Sequence, residues 1–250
     1  MKKKHFYFFV STSIAIVLIS MPVFPQQRTV SGIPAPDGYT AVICPPNSYS
    51  FWISHLPLRS GNEIRMYTGD TLFNALYHIY AVIDMPLLFR QDLEQCADWA
   101  LRFWAEYHKQ KGMLNKLNLM DYNGKPKSFS QSGQSFRQFF KWTAAHANSY
   151  SIKTGTLAVE SGSIRPGDMV VQNERGGIGH VSVIMNVCTS AQRDTLLLIG
   201  YSFMPAQEFH IEKAEFGYGK GGWYSLKGFY RFLKENLDVG DPVVRRFKER

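Results

Sequence analysis

Cys96 and His180 are the two residues whose type and surroundings suit covalent chemistry. A cysteine attacks as its thiolate, which forms near neutral pH only beside a base, a cation or a helix N-terminus. Cys96 stands in the opening turn of a stretch with helical apolar spacing, where unpaired amides and aligned peptide dipoles favour negative charge. His180 begins an apolar run just after Gly176, Gly177 and Gly179, so the backbone can bend tightly there and turn an imidazole toward a cleft. Each residue also has a plainer role, Cys96 as a small hydrophobe of the apolar stripe and His180 as a structural histidine. Together, a thiol at a helix start and a histidine opening a sheet strand can form the thiolate–imidazolium pair of nucleophilic acyl transfer.

Such a pair needs a third group to orient the ring. If the turn near residues 190–194 is short, antiparallel pairing sets His180 opposite residues 201–204, which offers Tyr201 and Ser202, while Gln207 reaches back if the chain bends at Pro205. Asp98 and Asp168 are expected to be structural, Asp98 on another helix face from Cys96 and Asp168 in a Gly-Asp turn. The remaining histidines (His55, His78, His108, His146 and His210) show no metal-ligand spacing and the cysteines form no close pair, so no metal and no cofactor is expected.

The elements that must hold these residues follow from periodicity. Residues 92–111 carry Leu93, Cys96, Ala97, Ala100, Leu101, Trp104 and Tyr107 at helical spacing, with Asp92 as the expected cap, Gln95 as its reciprocal partner and Gly112 as the stop. A second helix is expected over residues 135–147, where Phe136, Phe139, Phe140, Thr143 and Ala147 make one stripe. Strands are expected near residues 50–55, 63–67 and 77–84, then at 168–172, 180–188, 195–203 and 209–214, and a strand end leads into a terminal helix over 224–237. A helix-centred first half followed by an antiparallel sheet is an α+β arrangement.

The ends of the chain add context. Lys2, Lys3 and Lys4 precede an apolar run, so residues 1–25 read as a secretory signal or, if uncleaved, an N-terminal anchor, which implies export. Residues 26–38, rich in Pro, Gly and small polar side chains, read as a linker, leaving 39–250 as one domain. Loss of the three lysines lowers the formal charge from +8 to +5, a mild excess that suits anionic envelope polymers but, with its basic residues scattered, not nucleic acid. Of Cys44, Cys96 and Cys188, the pair expected to bridge, if any does, is Cys44 with Cys188, because oxidation would disable Cys96.

Three short segments carry a resemblance. Gln95-Cys96-Ala97 opening a helix, Arg165-Pro166-Gly167-Asp168-Met169-Val170-Val171, and Gly179-His180-Val181-Ser182-Val183 resemble the papain-like cell-wall amidases and peptidases of the NlpC and CHAP types. A narrower set, Glu94-Gln95-Cys96-Ala97-Asp98, Ala105-Glu106-Tyr107, Phe203-Met204-Pro205-Ala206-Gln207 and Trp223-Tyr224, resembles domain of unknown function 4846, an exported bacterial family. The resemblance implies a papain-like fold and a cysteine hydrolase acting on an amide or peptide bond, with Cys96 as nucleophile, His180 as base and Gln207 as third residue, and with peptidoglycan or another envelope polymer as partner. It equally admits a catalytically impaired papain-like fold that serves as an envelope binding module or structural protein, because the positions opposite His180 hold Tyr201, Ser202 and Phe203 where those enzymes place Asn, Gln, Glu or His.

Overall fold

The computed structural model describes residue 1 and residues 28–73, 77–174 and 176–249. In chain order its elements are β1 (Tyr39–Ala41), α1 (Tyr49–Ser54), β2 (Ile79–Val82), α2 (Cys96–Gln110), the hairpin β3 (Asn118–Met120) and β4 (Pro126–Ser128), then α3 (Phe129–Ser132), α4 (Phe136–His146) and α5 (Ser149–Gly155). The second half holds β5 (Leu157–Ala158), β6 (Met169–Gln172), β7 (His180–Ser190), β8 (Thr195–Tyr201), β9 (His210–Glu212), β10 (Gly219–Lys220), β11 (Trp223–Tyr224), α6 (Leu226–Asn236) and β12 (Val243–Arg246). The class is α+β, with several helices around an antiparallel sheet.

The sheet runs β10-β11-β8-β7-β6-β12-β5, with β9 joining β8 to β2 and β1 lying on the far end of β7. Strand alternation sends successive side chains to opposite faces, so each face recruits its own cover. Val181, Val183 and Met185 of β7 pack with Trp99, Phe103 and other side chains of α2 in the main core. Ile184 and Val187 join Phe229 and Leu233 of α6 in a second, smaller core on the other face. A bulge between Ile184 and Asn186 shifts the alternation along β7. Both cores are dominated by aromatic and branched side chains, and burial of each such side chain contributes roughly 1.5–3 kcal/mol.

Several expected elements change. Residues 50–55 fold as helix α1, because Ser48 caps it by accepting the Phe51 N–H at 3.0 Å, and that local cap outweighs the strand tendency of Phe51, Trp52 and Ile53. Helix α2 starts at Cys96, not near Asp92, with Gln95 as its cap residue. Residues 63–67 form only isolated bridges, Arg65 to Thr71 and Met66 to Gln207. Within the expected linker, Val30 and Ile33 are buried, Val30 N–H donates to Leu56 O at 3.0 Å and Trp223 Nε1 donates to Pro34 O at 3.1 Å, so the packed domain reaches back to residue 28 or so. The expected leader, apart from Met1, lies outside the described residues; among those described, no helix is long and apolar enough to cross a membrane. All three thiols are free, so the Cys44–Cys188 bridge is not formed; Cys188 is buried in β7 opposite Ala41.

Candidate functional site

The start of α2 is fixed by three contacts. Gln95 is extended (φ −92°, ψ −168°) and its N–H donates to Asp98 Oδ2 at 3.1 Å, while its carbonyl accepts the Trp99 N–H at 3.1 Å, which makes Cys96 the first helical residue. Asp92 does not cap the helix. Its Oδ1 accepts Gln95 Nε2 at 2.9 Å and the Ala206 N–H at 2.6 Å, so it ties the segment after β8 to the helix start.

Cys96 is 8% exposed, and the backbone amide of Val181, the residue after His180, is the group that most favours its thiolate. Burial pushes the thiol up to about 11, against the Val181, Ala97 and Cys96 amides, with the Asp98 carboxylate adding to the rise. Desolvation therefore outweighs the helix-start effect expected from sequence. Asp98 is itself pushed well above the carboxylate range, first by burial.

A cleft of about 340 Å³ opens over the thiol, lined by Gln95, Asn148, Ser149, the 177–179 loop and Met204 among others. Two large apolar side chains stand on its rim in solvent, Ile178 at 72% and Met204 at 45% exposure. The loop is held from below by Asn173, whose Nδ2 donates to Ser149 Oγ at 3.0 Å and Gly177 O at 3.3 Å and whose Oδ1 accepts the Gly176 N–H at 2.8 Å. Only glycine fits at 179. A Cβ there would stand 2.2 Å from Ser149 Oγ, 2.4 Å from Gln172 O and 2.7 Å from Asn173 Nδ2. Gly179→Ala is expected to cost about 1–3 kcal/mol, the range of an overpacked buried site, and to displace the entrance of the His180 strand. Urea unfolding measures the cost, and a change below a few tenths of a kcal/mol would mean that the loop yields freely.

His180 is 2% exposed and its side chain falls on the α6 face of β7, with Ser182 and Ile184. Its ring meets Tyr201 edge-on at 5.3 Å and Phe203 at 5.6 Å between centroids, and it lines a second cavity of about 160 Å³ with Tyr77, Tyr201, Phe203, the α6 residues Phe232, Leu233 and Asn236, and Leu237 just after the helix. Burial, then the neighbouring His210, lowers the imidazole to about 3, so it is neutral at physiological pH. Among the described residues its Nδ1 has no hydrogen-bond partner. The structure thus brings the Cys96 sulfur to the main chain beside His180, while the two side chains border different cavities.

The candidate third residues are committed elsewhere. Ser202 Oγ donates to Gln207 O at 2.9 Å, and Gln207 Nε2 donates to the Tyr77 hydroxyl at 3.3 Å. Burial first, then the Glu212 carboxylate, holds the Tyr201 hydroxyl well above the usual phenol range. Glu212 belongs to a buried group that sequence reasoning passed over: it faces His210 Nε2 at 3.1 Å with both side chains fully buried, and it accepts the His78 N–H at 2.7 Å. The available signal was His210 and Glu212 at i, i+2 in an otherwise apolar strand, which puts two polar side chains on one face.

Asp168 is structural, as expected: it accepts the Arg165 N–H at 2.9 Å and pairs with Arg246 at 2.6 Å. Among the described residues no group of three or more His, Cys, Asp or Glu is placed to hold a metal ion. In comparisons with known proteins, the family model described as domain of unknown function (4846) matches residues 30–132 and 124–238, most of the chain, so the protein belongs to that family. No curated protein and no solved structure matches it.

Proposed function

We propose that this member of the family is an exported papain-like cysteine hydrolase or transferase that acts on an amide or peptide bond in the cleft above Cys96, with peptidoglycan as the first substrate to try. The observation that carries the proposal is the placement of Cys96, first residue of α2, beside the main chain of Val181, one residue away from a histidine with a buried, unpartnered Nδ1. The His180 ring lies on the α6 face of β7 and α2 packs on the other, so proton transfer between the two side chains requires the strand entrance at residues 179 and 180 to shift when substrate binds.

With the thiol raised to about 11 and the imidazole lowered to about 3, the resting pair is neutral. The reaction then follows the serine-hydrolase pattern, in which the proton moves as attack occurs. Sγ bonds to the carbonyl carbon as its proton passes to His180. The C–N bond then breaks as His180 returns that proton to the leaving amine, and water or another acceptor resolves the thioester. Amides of the first turn of α2, including that of Cys96, would stabilise the oxyanion.

A neutral resting thiol has a measurable consequence. At pH 7 a thiol titrating near 11 is about one part in ten thousand thiolate, so alkylation of Cys96 by iodoacetamide is expected to be slow and to rise about tenfold per pH unit from 7 to 10. A rate that is fast and flat from pH 6 to 9 would show a preformed ion pair instead. The second reading is a binding module built on the same fold with its chemistry lost, and the placement of His180 in a separate cavity favours it. Turnover separates the two, since a binding module holds wall fragments without releasing product.

A further inference from the structure

The far end of α2 holds a different kind of cavity, of about 100 Å³, between the helix, the β3–β4 hairpin and the chain after β12. His108, Lys116 and Lys248 line it together with Trp104, Asn118 and Phe247, and no carboxylate does. Neither lysine ammonium is paired with a carboxylate among the described residues, and burial first, then the charge of Lys116, opposes protonation of His108.

His108 is buried, and its Nδ1 lies 2.8 Å from Trp104 O. A carbonyl only accepts, so Nδ1 carries the hydrogen and Nε2 is left as the second, uncommitted ring nitrogen. An anion would remove the mutual repulsion of His108 and Lys116 and give Nε2 a reason to take a proton. The C-terminal end of a helix carries about half a negative charge, which works against an anion there. That end is already capped, with Met113 N–H on His108 O at 2.8 Å and Gly112 N–H on Lys109 O at 3.1 Å, and two full ammonium charges outweigh what remains.

We propose that this cavity binds a small oxyanion, phosphate or carboxylate, clamped by Lys116, Lys248 and His108. The site is independent of the cysteine chemistry. Twelve helical residues separate His108 from Cys96, about 18 Å at 1.5 Å per residue. A small ion bound here does not reach the thiol, and the two cavities share no lining residue.

The test is a titration of the full chain with inorganic phosphate and, separately, with acetate, at constant ionic strength in chloride, followed by calorimetry and by the His108 ring signals in NMR. Saturable binding with a shift of the His108 signals is expected for at least one of the two, and which one responds identifies the source of the oxyanion. Lys116→Gln and Lys248→Gln, at exposed positions that leave the fold intact, should each weaken binding about tenfold or more, the loss of one charge-assisted contact. Absence of saturation with both ions, or binding undiminished in the double lysine variant, would overturn the proposal. Thiol alkylation by iodoacetamide should be unchanged in these variants, which separates failure here from failure of the hydrolase proposal.

Discussion

Arg102→Met is expected to lower the unfolding free energy by about 3–5 kcal/mol, the cost of stranding a buried charge. Arg102 Nη1 lies 2.6 Å from Glu94 Oε1, with both side chains at most 3% exposed, and Nη2 donates to Pro86 O at 2.8 Å. The other Glu94 oxygen accepts the Leu88 and Phe89 N–H groups at 2.6 and 2.9 Å. One ion pair thus pins residues 86–89 to the turn that presents Cys96. Burial raises Glu94 and lowers Arg102 despite their pairing, so desolvation is the larger effect for both. Removing the arginine alone leaves Glu94 with a folded-state value raised further above its unfolded one. A carboxyl shifted that way costs nothing while protonated and destabilises as pH rises through its folded value, so the deficit should be smaller at pH 4 than at pH 7. Glu94→Gln with Arg102→Met should recover at least half of the loss, because no uncompensated charge remains. Urea unfolding of the three proteins decides it, and a single-variant cost below about 1 kcal/mol would show that water reaches the pair.

That ion pair could not be read from the sequence, although its effect could. Glu94 and Arg102 are eight residues apart, and the loop carbonyl and amides that complete their coordination become neighbours only after folding. Local signals did better. The apolar spacing of Ala97, Ala100, Leu101 and Trp104 placed α2, and the stripe of Phe136, Phe139, Phe140 and Thr143 placed α4. The strands of the meander were legible to within a residue or two because β6, β7 and β8 are runs of buried Val, Ile, Leu and Met.

Failures came where a polar side chain served a distant partner. Asp92 was expected to cap α2 and instead holds Ala206, more than a hundred residues away in sequence. The linker expected from Pro and Gly content is docked by Val30 and Ile33, whose burial depends on surfaces made much later in the chain. At the candidate site, the strand entrance of His180 was legible and Cys96 was legible as part of the opening of a helix, though not as its first residue. Which face of β7 the imidazole takes was not, because one step in register moves every side chain across the sheet. The His210–Glu212 pair beside it was equally hidden, since Tyr201 and His210 become partners only through the β8–β9 register.

The central claim is that Cys96 is the nucleophile, and its loss should have the larger effect on activity. Cys96→Ala removes the atom that bonds to the acyl group, so turnover should fall to background, a loss of about a thousandfold or more, with ligand affinity nearly unchanged. His180→Ala should lose a comparable factor, since a thiol near 11 cannot shed its proton at neutral pH without a base. The two losses should not add, because both variants disable the same step. The most direct measurement is release of new amino groups from soluble peptidoglycan fragments at pH 7, with wild type and Cys96→Ala side by side. Release by wild type and none by Cys96→Ala is the expected result; equal release by both, or tight binding with none from either, would contradict the account.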